Sequence, residues 1–298
     1  MRGSGLGILT LVLLLSAAGC RLPGLDGPVS RSLATSRQLS LQGVTAMERD
    51  QWQRAEQLLQ QAVLACGSDP EARRSYAEVL WHRAAREEAV AQLEEASRLA
   101  PEDAGLHVRL AEMRLAMNQV EPAIRHTQQA LELDPKLPGA WAMRGRVMQA
   151  NGQLREALAA YHRALGYGPS DRTIPLEIAE LYRQLDQPQR ALVVLQNLAE
   201  TYSPGEEPQR LLYREGLAYK ALGRYDDAIR SLSAANSRDA PSAEILCQLG
   251  ECQWAAGRHA EAAAAAREAM ALDPQHPQSR ELLDELELAR RPDSGPPR

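Results

Sequence analysis

A small residue recurs every 34 positions along most of this chain, and that period limits the fold more than any other feature. Gly43, Ala77, Ala111, Gly145, Ala179, Gly216 and Gly250 mark it, with a single interval of 37 between Ala179 and Gly216. Twelve places after each stands an alanine: Ala55, Ala89, Ala123, Ala157, Ala191, Ala228 and Ala262. Seven places further on, alanine returns as Ala62, Ala96, Ala130, Ala164, Ala235 and Ala269, with Leu198 the exception. Proline closes the unit at Pro101, Pro135, Pro169 and Pro274. A unit of this length cannot bury its apolar face alone, so copies have to stack on one another.

Composition says what each unit is made of. Alanine, leucine, glutamine, glutamate and arginine dominate, and all are good helix formers. No stretch after residue 30 alternates apolar and polar residues for long enough to suggest a sheet. Each unit therefore reads as a pair of antiparallel helices, with the small residues where one helix crosses another. A larger side chain there would force the axes apart. Aromatic residues are 4% of the chain and phenylalanine is absent, so the core has to be leucine and alanine. "ANGQ", "ALGR" and "AAGR" read as the turns inside pairs, with Gly152, Gly223 and Gly257 as helix C-caps. "LDP" and "LAP" end second helices, because proline disfavours helix at the residue before it.

The pattern resembles the tetratricopeptide repeat, W-x₂-L-G-x₂-Y, then A-x₃-F and a closing proline. Residues 140–169 carry the fullest copy, with Trp141, Gly145, Ala157, Tyr161, Ala164 and Pro169; Arg144 and Met148 depart from it. In the fifth copy Pro175 stands at the tryptophan position, which predicts a first helix starting there. The resemblance implies an all-α, right-handed α-solenoid of about seven helix pairs over residues 36–275. Residues 276–291, with Leu282, Leu283, Leu286 and Leu288, read as a capping helix, and 292–298 as a disordered tail. The three extra residues fall in "TYSPGEEPQR", 201–210, a candidate hinge.

The N-terminus addresses the compartment. Arg2 precedes an apolar run from Leu6 to Leu15, followed by Ser16, Ala17, Ala18, Gly19 and Cys20. The run is the length of a signal-peptide core and short of the ~18 or more residues a membrane span needs. Residues 1–19 therefore read as an export signal. Ala17-Ala18-Gly19-Cys20 resembles the lipobox of bacterial lipoproteins, which implies lipidation of Cys20, although Ala17 stands where leucine is usual. Ordinary cleavage at the small residues and an uncleaved anchor stay open as alternatives. Residues 20–35, with Pro23, Gly24, Gly27 and Pro28, read as a flexible tether. Arg21 after the cysteine, with no aspartate, resembles an outer-membrane sorting signal. The expected location is the bacterial cell envelope, lipid-anchored in the outer membrane and facing the periplasm.

Little in the chain points to chemistry. No H-E-x-x-H, G-x-S-x-G, phosphate loop or dinucleotide fingerprint occurs, and the histidines at 82, 107, 126, 162, 259 and 276 include no pair at helical spacing. Cys247 and Cys252 lie about 7.5 Å apart along one predicted helix, beyond disulfide reach, so the cysteines read as small buried hydrophobes. A net charge of −5 argues against a nucleic-acid footprint. No cofactor, metal or enzymatic activity is expected.

What the resemblance implies instead is binding: protein or peptide partners lie against the concave face lined by the first helices. On this chain the face-lining positions fall on Arg74, Glu78 and Trp81; Glu112; Arg146 and Gln149; Glu180 and Arg183; Arg210, Tyr213 and Lys220; and Glu251 and Trp254. Neighbours such as Arg74 and Glu78 also read as solvated helix pairs worth a few tenths of a kcal/mol. Tyr213 and Trp254 read as aromatic anchors. The lysine–asparagine–arginine clamp by which some family members hold a C-terminal carboxylate is missing, since Ser40 and Val44 stand at its first positions. The expected role is a non-catalytic scaffold at the envelope. The narrower alternatives are an assembly factor for an outer-membrane pilus or secretion complex, and an accessory subunit of an envelope enzyme.

Overall fold

The structure, a computed structural model, describes residues 28–168 and 171–290. The export signal, Cys20, the first part of the tether, Pro169 and the tail at 292–298 lie outside the described residues. Among the described residues there are fifteen helices and no strand. The chain divides into two units, one ending at Leu106 and the other starting at His107.

The first unit holds α1 (Pro28–Glu48), α2 (Trp52–Ala65), α3 (Pro70–His82), α4 (Arg86–Leu99) and the start of α5 (Ala104–Ala116). Residues 28–35, expected as tether, are instead the opening of α1. Proline is tolerated in a first turn, and no further breaker follows before Gly43. The helix is tied down by buried Ser36, whose hydroxyl donates to Asp69 Oδ2 at 2.9 Å. Asp69 in turn caps α3, its Oδ1 accepting from the Glu71 amide at 3.2 Å ahead of Pro70 in the first turn. One buried carboxylate thus ties the first half of α1 to the start of α3. The α1/α2 crossing depends on Gly43: a Cβ there would lie 2.5 Å from Leu59 Cγ.

The second unit holds the rest of α5, then α6 (Val120–Leu133), α7 (Pro138–Ala150), α8 (Leu154–Tyr167), α9 (Thr173–Gln184), α10 (Pro188–Ala199), α11 (Gln209–Ala221), α12 (Tyr225–Arg238), α13 (Ala243–Ala255), α14 (His259–Leu272) and α15 (Pro277–Arg290). Helix α9 starts at Thr173, two residues before the expected Pro175, which sits inside the first turn. The small residues of the repeat skeleton are buried, together with leucines packed around them. Ala111 and Ala123 join α5 to α6, Ala157 and Ala164 lie under α7, and Leu211, Ala228 and Leu232 close α11 on α12.

The loop at 201–210 is pinned, where a hinge was expected. A single apolar cluster runs beneath it from Leu176 through Leu195 and Leu211 to Cys252. Arg238 donates to the Gly205 carbonyl and pairs with Glu207 at 3.2 Å, while Gln209 reaches the Ala235 carbonyl at 3.1 Å. The three inserted residues lengthen the connection without parting the core.

Every first helix from α1 to α13 ends alike, on a residue of positive φ: Asp50, Ala84, Asn118, Gly152, Asp186, Gly223 and Gly257. The next amide closes a six-residue ring, as from Gln153 N to Met148 O at 2.9 Å. Three of these positions carry glycine; Asp and Asn adopt the conformation at modest cost, and Ala84 adopts it without either aid.

Candidate functional site

The residues expected to line the binding face fall in two groups that the units keep separate. In the first unit, Arg74 and Glu78 lie on α3, and Arg74 pairs with Glu71 at 3.6 Å. Trp81 is half-buried under the Arg86 guanidinium, 3.9 Å from the ring centroid, and Arg86 also donates to the Trp81 carbonyl at 3.2 Å. The indole is therefore partly engaged by its own chain through a cation–π contact.

In the second unit the first helices α5, α7, α9, α11 and α13 present a row of charges that meet from one repeat to the next. Glu112 takes Arg109 at 2.9 Å on its own helix and Arg146 at 3.3 Å, 34 residues on. Glu180 takes Arg183 at 2.7 and 3.0 Å through two nitrogens, and Arg214, again 34 residues on, at 3.3 Å. Arg214 also donates to the Leu176 carbonyl at 3.0 Å and stands 3.8 Å from Glu177, which Arg210 approaches to 3.9 Å. Lys220 pairs with Glu251 and donates to Gln248 at 2.7 Å. Tyr213 donates to Glu244 at 2.9 Å, and His276 reaches that same carboxylate at 3.3 Å.

These pairs are not equal. The Glu180 and Arg214 side chains are 18% and 17% exposed, so solvent screens them least. Burial opposes ionisation of Glu180, yet hydrogen bonds from Arg183 and Gln184 and the charges of Arg183 and Arg214 outweigh it. They hold its carboxyl below the usual range. Arg146 and Arg183 are more than 40% exposed and contribute about 0–1 kcal/mol each. Burial, with Glu244 beside it, pushes the Tyr213 phenol above its ordinary range, and the ring packs against the apolar cluster of α9 to α13. Tyr213 is thus shared between core and surface.

Two adjoining clefts open on this row. One, of about 470 Å³, is lined by Arg183, Leu217, Lys220, Tyr225, Gln248 and Glu251 among others. The next, of about 300 Å³, has Glu251, Trp254, Gln278, Glu281, Leu282 and Glu285 on its walls. Glu251 and Ala255 line both, so the clefts adjoin along α13. The structure thus brings Arg183, Lys220, Glu251 and Trp254 together, and Glu112 with Arg146.

Sequence reading missed Arg214, Glu177, Gln248 and Glu244, although the signal was there. Glu177 and Arg214 stand one repeat interval apart, 37 residues at this place, as Glu112 and Arg146 stand one interval of 34 apart. The cysteines at 66, 247 and 252 are free and buried. Among the described residues no group of three or more His, Cys, Asp or Glu could hold a metal, and no helix is long and apolar enough to cross a membrane.

Family profiles described as tetratricopeptide repeat match residues 41–104 and 213–277, and a second profile of that description matches 126–159. The chain carries tetratricopeptide repeats. Its fold is the all-α fold of solved tetratricopeptide proteins. PilW, titled a widely conserved type IV pilus biogenesis factor, matches with a TM-score of 0.64 at 18% identity, over 72% of this chain and 98% of its own. A tetratricopeptide repeat protein from Parabacteroides merdae matches at 0.63 and 15%, over 85% of this chain and 99% of its own. Pseudomonas aeruginosa pilF matches at 0.55 and 14%, over 86% and 99%. No curated protein sequence matches the chain. Proteins built of these repeats bind protein or peptide partners, and the tetratricopeptide fold suggests a scaffold for protein–protein interaction.

Proposed function

We propose that this protein is a non-catalytic scaffold of the bacterial cell envelope that binds partner segments along its first helices. The observation that carries the reading is the pair of adjoining clefts along α13, whose walls hold Arg183, Lys220, Glu251 and Trp254. Mixed charge beside the aromatic rings of Trp254 and Tyr225 suits a polypeptide: the aromatics supply buried area, and the paired charges exchange partners at small cost. Lipidation at Cys20 would hold this surface in the outer membrane, facing the periplasm. The lipobox-like run and the apolar segment before it support that part of the reading.

Capture from the native envelope, repeated with a Tyr213→Ala, Trp254→Ala double variant, tests the surface. A specific partner should be lost by tenfold or more; an unchanged partner set would reject this face. Fatty-acid labelling that disappears with Cys20→Ala is the expected outcome for the anchor, and equal labelling of the variant would refute it. The similarity to PilW favours one narrower reading, an assembly factor for an envelope pilus. Partners recovered by capture should then include pilus or secretion components.

A further inference from the structure

In the repeat pattern the residue just before the small crossing position is apolar. Tyr76, Leu110, Ile178 and Leu249 stand there in this chain, buried or half-buried. Two later repeats depart from this. Glu215 of the sixth is half-buried and accepts from the Ser231 hydroxyl at 3.1 Å. Arg144 of the fourth is exposed, and four residues on, Met148 replaces the usual tyrosine. Between these two side chains of α7 and the facing side of α6 a crevice of about 410 Å³ is open. It shares no wall residue with the clefts along α13.

The apolar walls are Ile124, Leu131 and Met148, all half-buried. Met148 packs against the core on both sides, that of α5 and α6 and that of α7 and α8, so the apolar floor is continuous. The polar groups are already engaged, with one exception. Thr127, buried, donates its hydroxyl to the Ala123 carbonyl at 2.7 Å, and Gln128 donates to Glu132 at 3.0 Å. Among the described residues the Arg144 guanidinium meets no carboxylate; its contact is with the Trp141 ring, 5.5 Å from the centroid. Arg163 of α8 lies over the same ring at 4.6 Å, also without a carboxylate among the described residues. Two guanidinium charges thus stand against the one carboxylate of Glu132. Both walls are helices, whose main-chain groups are paired within them. An extended peptide laid there would lose water from its own amides and carbonyls and find no replacement, whereas an aliphatic chain has nothing polar to lose.

We propose that this crevice binds a single-chain aliphatic carboxylate, its chain along Ile124, Leu131 and Met148 and its carboxylate on the Arg144 guanidinium. The volume lies within the about 300–1,000 Å³ of small-molecule pockets. A guanidinium offers a carboxylate two parallel N–H bonds, and the pair is strongest where the flanking surface is apolar. Glu132 sets the limit on the head group, since a second negative charge on the ligand would meet it. Filling the crevice joins the second helix of the third repeat to the first helix of the fourth through the ligand. This proposal does not rest on the partner-binding reading.

The test is titration of the full chain with decanoate, below its micelle concentration, followed by the NMR signals of labelled methionine and isoleucine methyl groups. Met148 and Ile124 should shift and saturate while Met270 stays still. Decyltrimethylammonium, with the same chain and the opposite charge, should bind at least tenfold more weakly. Each methylene removed, from decanoate to octanoate, should weaken binding about threefold. Arg144→Leu and Met148→Tyr restore the residues usual in the repeat, so both variants should fold. The first should weaken decanoate at least tenfold, and the second should abolish binding by filling the crevice. Arg230→Leu, on α12, should leave it within twofold. Decanoate leaving Met148 and Ile124 unshifted would overturn the site and leave the crevice to a polypeptide side chain. Equal affinity for the two amphiphiles would overturn recognition of the carboxylate.

Discussion

In the fourth repeat the crossing of α7 and α8 is filled from within; in the seventh, the crossing of α13 and α14 is filled from outside. Tyr161 of α8, 1% exposed, lies over Gly145 of α7, so closely that a Cβ would meet its ring at 2.5 Å. The residue at the same register in the seventh repeat is Ala266, and the space over Gly250 is taken by Leu282 of α15 at 2.9 Å. The residues that helix α14 buries, Ala262, Ala263, Ala265, Ala266 and Ala269, are all alanine. A repeat with an alanine second helix depends on its neighbour for volume. The terminal helix is therefore a working part of the last pair, as end units of stacked repeats must be.

The largest effects should come from removing the two fillers. Tyr161→Ala is expected to cost about 3–5 kcal/mol, as aromatic truncations in cores do, and Leu282→Ala about 2–5 kcal/mol, both read by urea denaturation. Hydrogen exchange should separate them, with protection lost in α7 and α8 for the first and in α13 to α15 for the second. A neutral Leu282→Ala would break the contrast.

Overpacking should give a smaller, ordered pair. Gly145→Ala drives a methyl into an enclosed ring and should cost about 3 kcal/mol, the top of the overpacking range. Gly250→Ala meets the rotatable end of Leu282, with the Ala262 carbonyl at 3.3 Å, and should cost about 1 kcal/mol. The reverse order would mean that α15 holds its place more rigidly than α8.

Alkali should distinguish the repeats by the mildest effect. Burial pushes the Cys247 and Cys252 thiols, both in α13, up to about 11. The unfolded chain releases these protons from about pH 8.5 while the folded chain keeps them, so stability falls as pH rises from there towards 11. The fourth repeat holds no cysteine, and its Tyr161 phenol, raised by burial and by Glu177, adds a decline only above the ordinary tyrosine range near 10. A Cys247→Ala, Cys252→Ala variant should lose the earlier part of the slope. An unchanged slope would place the alkaline sensitivity elsewhere.

Much of this architecture was legible because the repeat writes its packing as residue size. Gly145 twelve places before Ala157, and Ala164 seven after, mark the crossings directly. Start points were less legible: Ser, Thr and Arg in α1 hide a helix held by Ser36 and Asp69, a pair 33 residues apart. The left-handed caps at Asp50, Ala84, Asn118 and Asp186 escaped because only glycine announces that conformation. Contacts across helices escaped for a different reason. Lys220 with Glu251, Glu180 with Arg214 and His107 with His126 are invisible to spacing along one helix. The first two appear only when one repeat is laid beside the next, and the third only when the two helices of one repeat are paired.

The central claim is that the first-helix face of the second unit is where partners bind, and site-specific photocrosslinking in the native envelope tests it most directly. A photoreactive residue replacing Gln248, beside Lys220 on the cleft wall, should give a discrete adduct. The same residue replacing Arg230, exposed on α12, should give none. Adducts from position 230 and none from 248 would contradict the account.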